Sequence, residues 1–151
     1  MAHVIIAEGL ARRAFIESRT ENFDALAEAV KQCGPQWAED LSGVPADLIV
    51  QAARVYAAAE NAAIFWAMGI TQSTHGVDNV QALANLALLT GNFGRPGAGL
   101  NPLRGQNNVQ GACDVGGLPN VLTGYQSVAD PAVREKFENA WRAETPLPAK
   151  P

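Results

Sequence analysis

The sequence predicts a helix-rich α/β domain with one buried strand, a helix after it and a long glycine-rich loop. Three observations support this fold class. Apolar residues recur at helical spacing in the first part of the chain, a short unbroken apolar run typical of a strand follows at 62–68, and most glycines lie between 91 and 124. A chain of 151 residues, 48% of them apolar, suits one globular domain with its own core.

Several helices are predicted between residues 11 and 60. In residues 11–20, Ala11, Phe15 and Ile16 recur near helical spacing. Asn22 is the expected N-cap of a helix over 23–33, which Gly34-Pro35 ends. Its apolar stripe is Phe23, Leu26, Ala27 and Val30.

Two further helices are expected before the strand. A short helical turn over 36–41 is closed by Gly43, and Pro45 then occupies the first position of a helix over 45–60. The inward residues of this last helix are predicted to be Leu48, Ile49, Ala52, Val55, Tyr56 and Ala59.

The apolar run at 62–68 indicates a buried strand, and residues 69–74 a loop after it. Ser73 or Thr74 should cap a helix that runs to about Leu89 and ends at 90–92. Its inward residues should be Val80, Leu83, Ala84, Ala87 and Leu88. In open α/β sheets, ligands bind at loops after the carboxyl ends of strands.

A last helix is predicted at 130–141, with Asp130 as N-cap and Pro131 at the first helical position. The domain is therefore expected to span residues 1–142, and the proline-rich stretch 143–151 to be a linker or tail.

Charge and cysteine content exclude several classes of function. The net charge is −4 and no Lys/Arg block occurs, which argues against a nucleic-acid or membrane-surface partner, and no apolar run is long enough to span a membrane. Cys33 and Cys113 lie too far apart for a zinc motif and are interpreted as free thiols in a reducing, cytoplasmic compartment. His3 and His75 have no metal-ligand spacing, so no metal ligand is assigned.

Residues 102–117, PLRGQNNVQGACDVGG, contain too little apolar surface for a core strand and too much glycine for a stable helix. One cation, Arg104, lies among four side-chain amides there, and an arginine grips a carboxylate or phosphate in a bidentate manner. Gln72 and Gly69, after the strand, could contribute polar groups and a close backbone approach. The residues alone therefore allow two interpretations. Arg104 either binds an anionic ligand, or it is solvated or paired with Asp114.

Residues 67–126, and above all TGNFGRPGAGLNPLRGQNNVQGACD at 90–114, resemble the catalytic subunit of molybdenum- or tungsten-dependent formate dehydrogenases. These enzymes belong to the molybdopterin oxidoreductases, and residues 3–66 are similar to their helical lead-in. The resemblance implies an internal part of a doubly wound catalytic domain, with the iron–sulfur cysteines and the metal-ligating residue elsewhere in a longer parent.

The resemblance also implies roles for individual residues. Arg104 matches the arginine that holds the formate carboxylate, Gln106 a glutamine near the pterin, and Met68, Gly69 and Gln72 a loop that contacts a pterin guanine dinucleotide. Asn107 and Asn108 are expected to support them.

For the parent, the resemblance implies formate oxidation to carbon dioxide at a Mo or W bis-(molybdopterin guanine dinucleotide) centre. Electrons would pass to a 4Fe-4S cluster and to iron–sulfur domains or subunits, including one that reduces NAD. Two alternatives remain: another member of the superfamily such as a nitrate reductase, and an isolated fragment that is structural and inactive. The arginine in LRGQNN favours formate over nitrate.

Overall fold

The computed structural model describes residues 1–150 and divides into two compact units, Met1–Leu103 and Arg104–Pro151. The first unit contains α1 (Ala2–Ala7), α2 (Arg13–Arg19), α3 (Phe23–Ala29), α4 (Pro35–Ser42), α5 (Ala46–Ala58), β1 (Ala63–Trp66), α6 (Met68–Thr71), α7 (Gly76–Leu89) and β2 (Gly99–Pro102). The second contains α8 (Val109–Asp114), β3 (Val121–Leu122), β4 (Gln126–Ser127) and α9 (Pro131–Trp141). The helix-rich α/β class is therefore confirmed. No helix within the described residues is long and apolar enough to cross a membrane.

The core of the first unit is built from α1, α2, α5 and α7. Its buried members are Val4, Ile5, Ile16, Ala53, Leu86 and Leu89. Helix α1 was not predicted, because its apolar run is too short to show a helical period. Ile5 of α1 is nevertheless fully buried, so this segment is part of the core.

Two helix boundaries differ from the prediction. Helix α3 ends at Ala29, before the predicted end at Gly34-Pro35. Gly34 and Pro35 instead begin α4, because Pro35 occupies a first-turn position where its missing N–H costs nothing. Asn22 does precede α3, but its φ of 58° is left-handed and its side chain makes no capping hydrogen bond. The α3 stripe and the closure of α4 by Gly43 are confirmed.

Helix α5 presents only part of the predicted stripe: Ile49, Tyr56 and Ala59 are half-buried as predicted, whereas Ala52 is exposed. It begins just after Pro45, and Leu48 and Val55, both expected inside, are 50% and 66% exposed. Ala53 is fully buried instead, and α1 and α4 both pack against this helix. A small residue at the contact lets helix backbones approach closely, so the most buried position of α5 is an alanine.

Strands β1 and β2 pair in parallel, from Ala63 opposite Gly99 to Trp66 opposite Pro102, and α7 packs against both. The position of β1 is confirmed, but its burial was predicted wrongly: exposure alternates along it and Phe65 is 64% exposed. Strand β2 was not predicted, because glycine and proline are both disfavoured in strands.

Helix α6 replaces part of the predicted loop, and α7 begins at Gly76 with His75 in the N-cap position. Neither Ser73 nor Thr74 is the cap, although the Ser73 hydroxyl accepts a hydrogen bond from the His75 amide. The end of α7 is as predicted. The Asn92 amide donates to the Ala87 carbonyl at 2.8 Å and the Gly91 amide to Leu88 at 3.2 Å, the bonds of a Schellman motif.

The second unit has its own elements and contacts. Asp130 caps α9 as predicted, accepting a hydrogen bond from the Ala132 amide at 2.9 Å, with Pro131 in the first turn. Phe137 is buried, its ring 4.9 Å from that of Trp141. Residues 143–150 contain neither helix nor strand; Pro151, part of the predicted tail, lies outside the described residues. The boundary of the catalytic domain at 142 stays a prediction.

Candidate functional site

The first group of predicted site residues lies on α6, directly after β1. Met68 begins this one-turn helix and Gln72 follows its end. The Gln72 side-chain amide donates to the Met68 sulfur at 3.2 Å, so the structure brings these two side chains together. Both are exposed, which leaves the Gln72 carbonyl oxygen accessible to a ligand.

Gly69 lies between Met68 and Gln72. Neither the space around it nor its backbone conformation requires a glycine at this position. A Cβ placed on it would meet no atom within 4 Å, and its φ is not in the left-handed region. Its lack of a side chain opens the backbone of α6 to solvent, and it makes room for close approach by another molecule.

Arg104 begins the second unit and is exposed. Within residues 1–150, no carboxylate lies within 4.0 Å of its guanidinium and its side chain donates no hydrogen bond. Asp114, the expected acidic partner, instead accepts a hydrogen bond from Gln110 at 3.1 Å. The structure thus rules out the Asp114 pair and leaves the guanidinium free to bind an anion.

The three amides after Arg104 differ in their contacts. Gln106 and Asn107 are exposed, and their side chains have no hydrogen-bond partner among the described residues. Asn108 caps α8: its φ is 49° and its Oδ1 accepts from the Gly111 amide at 3.2 Å. The structure therefore gives Asn108 a local task that the sequence analysis did not foresee.

Helix α8 itself contradicts the expectation that residues 102–117 are too glycine-rich for a helix. Gln110, on this helix, donates to the Tyr125 hydroxyl at 2.8 Å, and the Thr123 hydroxyl donates to the Val115 carbonyl at 3.0 Å. The Asp114 carboxylate favours the protonated phenol and raises the pKa of Tyr125 above its ordinary value. These contacts connect α8 to the β3–β4 hairpin.

Sequence reasoning missed this support for α8. An asparagine three residues before Gly111 is a helix-start signal that could have located the cap. Tyr125, whose φ is 59°, gave no comparable signal, because its partner Gln110 lies fifteen positions away.

The predicted site residues fall into both compact units. Met68, Gly69 and Gln72 belong to the first, and Arg104 and the amides at 106–108 to the second. Within the first unit the structure brings Met68 and Gln72 into contact; within the second, Asn108 contacts Gly111 and not Arg104.

The other titratable candidates are two unpaired cysteines and two histidines with local partners. Cys33 and Cys113 are free thiols, and the His3 ring nitrogen lies 2.9 Å from the Val30 carbonyl. His75 lies 3.6 Å from Asp78 at the start of α7. Across residues 1–150, no group of three or more His, Cys, Asp and Glu side chains is placed to hold a metal ion.

Comparison with known proteins identifies the family. The molybdopterin oxidoreductase family model matches residues 1–146. Formate dehydrogenase H of Escherichia coli K12 is 56% identical over 149 residues, which cover 99% of this chain and 21% of that protein. The alpha subunits of two F420-dependent formate dehydrogenases, from Methanococcus maripaludis and Methanocaldococcus jannaschii, are each 52% identical over 93% and 95% of this chain. The chain spans about a fifth of the length of these relatives. It belongs to the molybdopterin oxidoreductase family.

Proposed function

We propose that this chain forms part of the catalytic subunit of a formate dehydrogenase, and that Arg104 binds the formate carboxylate. The observation that carries the proposal is an exposed guanidinium with no acidic partner among the described residues. Relatives that are more than half identical and are named formate dehydrogenases support the choice of substrate.

The residues present fit a molybdopterin cofactor in their chemistry. Gln72, Gln106 and Asn107 offer exposed amides, which both donate to and accept from a pterin or purine edge. The open space at Gly69 admits a ligand close to the backbone. We assign Met68, Gly69, Gln72 and Gln106 to cofactor contacts, in the bis-(guanine dinucleotide) form with Mo or W, and Asn107 and Asn108 to their support.

The position of α6 within the first unit also suits a ligand site. Met68 follows β1 after one intervening residue, and β1 is parallel to β2 and paired with it. Ligands of open α/β sheets bind outside the carboxyl ends of the strands. A doubly wound domain around this strand pair is part of the proposal.

The proposed reaction converts formate to carbon dioxide, a proton and two electrons. When bound, the cofactor supplies the two-electron oxidation. Arg104 holds the carboxylate through paired N–H donors, fixes the direction of the C–H bond and offsets the negative charge. We assign no proton acceptor to this chain. Onward transfer to a 4Fe-4S cluster, iron–sulfur partners, NAD and a cytoplasmic location belong to the proposal for the whole protein.

The test uses the complete protein that contains this chain, purified with its cofactor. We expect formate-dependent reduction of a viologen dye, and no oxidation of reduced viologen by nitrate. The 151-residue chain alone should show no turnover with either substrate, since its site residues fall in two units and the relatives are about five times longer. Nitrate reduction without formate oxidation by the complete protein would overturn the assignment in favour of a nitrate reductase.

A further inference from the structure

A second cationic site lies in the first unit, in a groove of about 660 Å³ between α2 and the loop after α7. Three arginines line it, Arg12, Arg19 and Arg95, and no carboxylate does. This concentration of positive charge occurs in a chain whose net charge is −4. A groove lined by charges of one sign raises the local concentration of counter-ions.

Two of these guanidinium groups converge on one acceptor. Nη2 of Arg12 donates to the Glu60 carbonyl at 3.2 Å, and Nη2 of Arg95 donates to the same oxygen. Because both Nη2 atoms donate to the same oxygen, the two guanidinium groups lie close to each other. Within residues 1–150, no carboxylate, including that of Glu60, lies within 4.0 Å of either group. Like charges this close favour a bound anion.

Arg95 also retains an unused donor. Its Nε atom is buried and has no hydrogen-bond partner among the described residues. A buried N–H without an acceptor is unfavourable. Because Nε is shielded from the groove, the donor that Arg95 offers to a ligand is Nη1, which makes no hydrogen bond among the described residues. Arg19, exposed at the end of α2, adds a third guanidinium that has no ion-pair partner within the same residues.

Apart from Ser18, the remaining walls are apolar side chains or bare backbone. Phe15 and Phe93 line the groove, and Phe93 is 52% exposed. A Cβ on Gly91 would lie 3.1 Å from the Arg12 side chain, whereas one on Gly94 would meet nothing within 4 Å. Glycine at 91 thus keeps room for Arg12, and the rings offer a surface for an apolar body.

The groove is distinct from the residues assigned to the cofactor. Glu60 precedes β1 and Arg95 precedes β2, so the arginines gather at the amino ends of the two parallel strands. Helix α6, which carries Met68 and Gly69, follows the carboxyl end of β1.

We propose that this groove binds an organic phosphate monoester. Its phosphate would accept hydrogen bonds from Arg12, Arg19 and Arg95, and its apolar body would pack on Phe15 and Phe93. Arginine suits a phosphate because its planar fork donates two parallel N–H bonds to the oxygens. A dianion also balances three cations better than a carboxylate does.

The test is calorimetric titration of the 151-residue chain, at fixed ionic strength, with phenyl phosphate, inorganic phosphate and benzoate. Phenyl phosphate should bind saturably at one site, about tenfold more tightly than either of the other two, which lack the ring or the second charge. Arg19→Gln should weaken phenyl phosphate about tenfold, the effect of one charge-assisted contact. Arg13→Gln is the matched control: it changes the same charge on the same helix, but Arg13 lies over the Phe23 ring and not in the groove.

Three results would overturn the proposal. The first is no saturable heat with phenyl phosphate at millimolar concentration. The second is equal weakening by Arg13→Gln and Arg19→Gln, which would mean non-specific attraction. The third is benzoate that binds as tightly as phenyl phosphate, which would exclude a phosphate-specific site. Arg19 is exposed, so circular dichroism should show that its variant stays folded.

Discussion

Asn92 joins the end of α7 to the start of β1 through one fully buried side chain. Its Oδ1 accepts from the Ala62 amide at 3.0 Å and from Arg95 at 2.9 Å, and its Nδ2 donates to the Thr90 hydroxyl at 2.9 Å. A buried asparagine that makes three side-chain hydrogen bonds fixes the geometry of the elements around it, because each lost bond leaves a buried group unsatisfied.

Asn92→Ala should lower the free energy of unfolding by about 2–4 kcal/mol, since it leaves the Ala62 amide and the Thr90 hydroxyl short of a partner. Chemical denaturation of the 151-residue chain measures this. Asn61→Ala is the control: Asn61 is exposed and its change should cost less than about 0.5 kcal/mol. Equal losses in the two variants would show that Asn92 makes no special contribution.

Single residues also differ in how well the sequence predicts their surroundings. Arg104 was recognised as the only cation among amides, and the structure leaves it exposed and unpaired within residues 1–150. Its role as a formate ligand came from the resemblance and remains a proposal. The convergence of Arg12 and Arg95 on Glu60 could not be predicted, because only the tertiary fold brings these distant positions together.

At the scale of elements, the end of α8 packs closely against the backbone of the β3–β4 hairpin. Gly116 has a φ of +90°, and a Cβ there would lie 2.7 Å from the Thr123 amide nitrogen. Gly124, in the same hairpin, has a φ of +73°, but the nearest atom to its Cβ would be 3.7 Å away, on the flexible Gln126 side chain. Both glycines have the left-handed φ that other residues rarely adopt. Only at Gly116 would a Cβ also overlap a neighbouring backbone atom.

Gly116→Ala should therefore destabilise the second unit more than Gly124→Ala does. Both changes carry the cost of a left-handed alanine, about 1 kcal/mol, and Gly116→Ala adds overlap with backbone worth roughly 1–3 kcal/mol. Hydrogen exchange of the α8 and β3 amides in the two variants measures the difference. If Gly124→Ala loosened these amides as much as Gly116→Ala, close packing at Gly116 would not be what holds α8.

Elements with a strong local signal were predicted well. The cap of α9, the end of α7 and the stripe of α3 each follow from residues close together in sequence. Strand β2 depends on pairing with β1, and the buried face of α5 depends on α1 and α4. Local patterns carry no information about those partners, so these two features were missed or misassigned.

At the scale of the whole chain, the two units divide the predicted site residues between them, and large apolar side chains remain exposed. Phe65 on β1, Leu41 on α4 and Val55 on α5 are 64%, 69% and 66% exposed. The prediction that β1 is buried rested on the unbroken apolar run at 62–68. A strand in a two-stranded sheet with a helix on one side keeps its other face open.

The measurement that tests the central claim most directly is kcat/KM for formate in the complete enzyme carrying Arg104→Ala. The matched control is Arg54→Ala, which removes an arginine whose exposed ion pair with Glu8 lies in the other unit. We predict that Arg104→Ala lowers kcat/KM by about 100-fold or more, that Arg104→Lys retains an intermediate value because it keeps the charge and loses the paired donors, and that Arg54→Ala changes little. Formate kinetics that are the same in Arg104→Ala as in the unmodified enzyme would contradict the account.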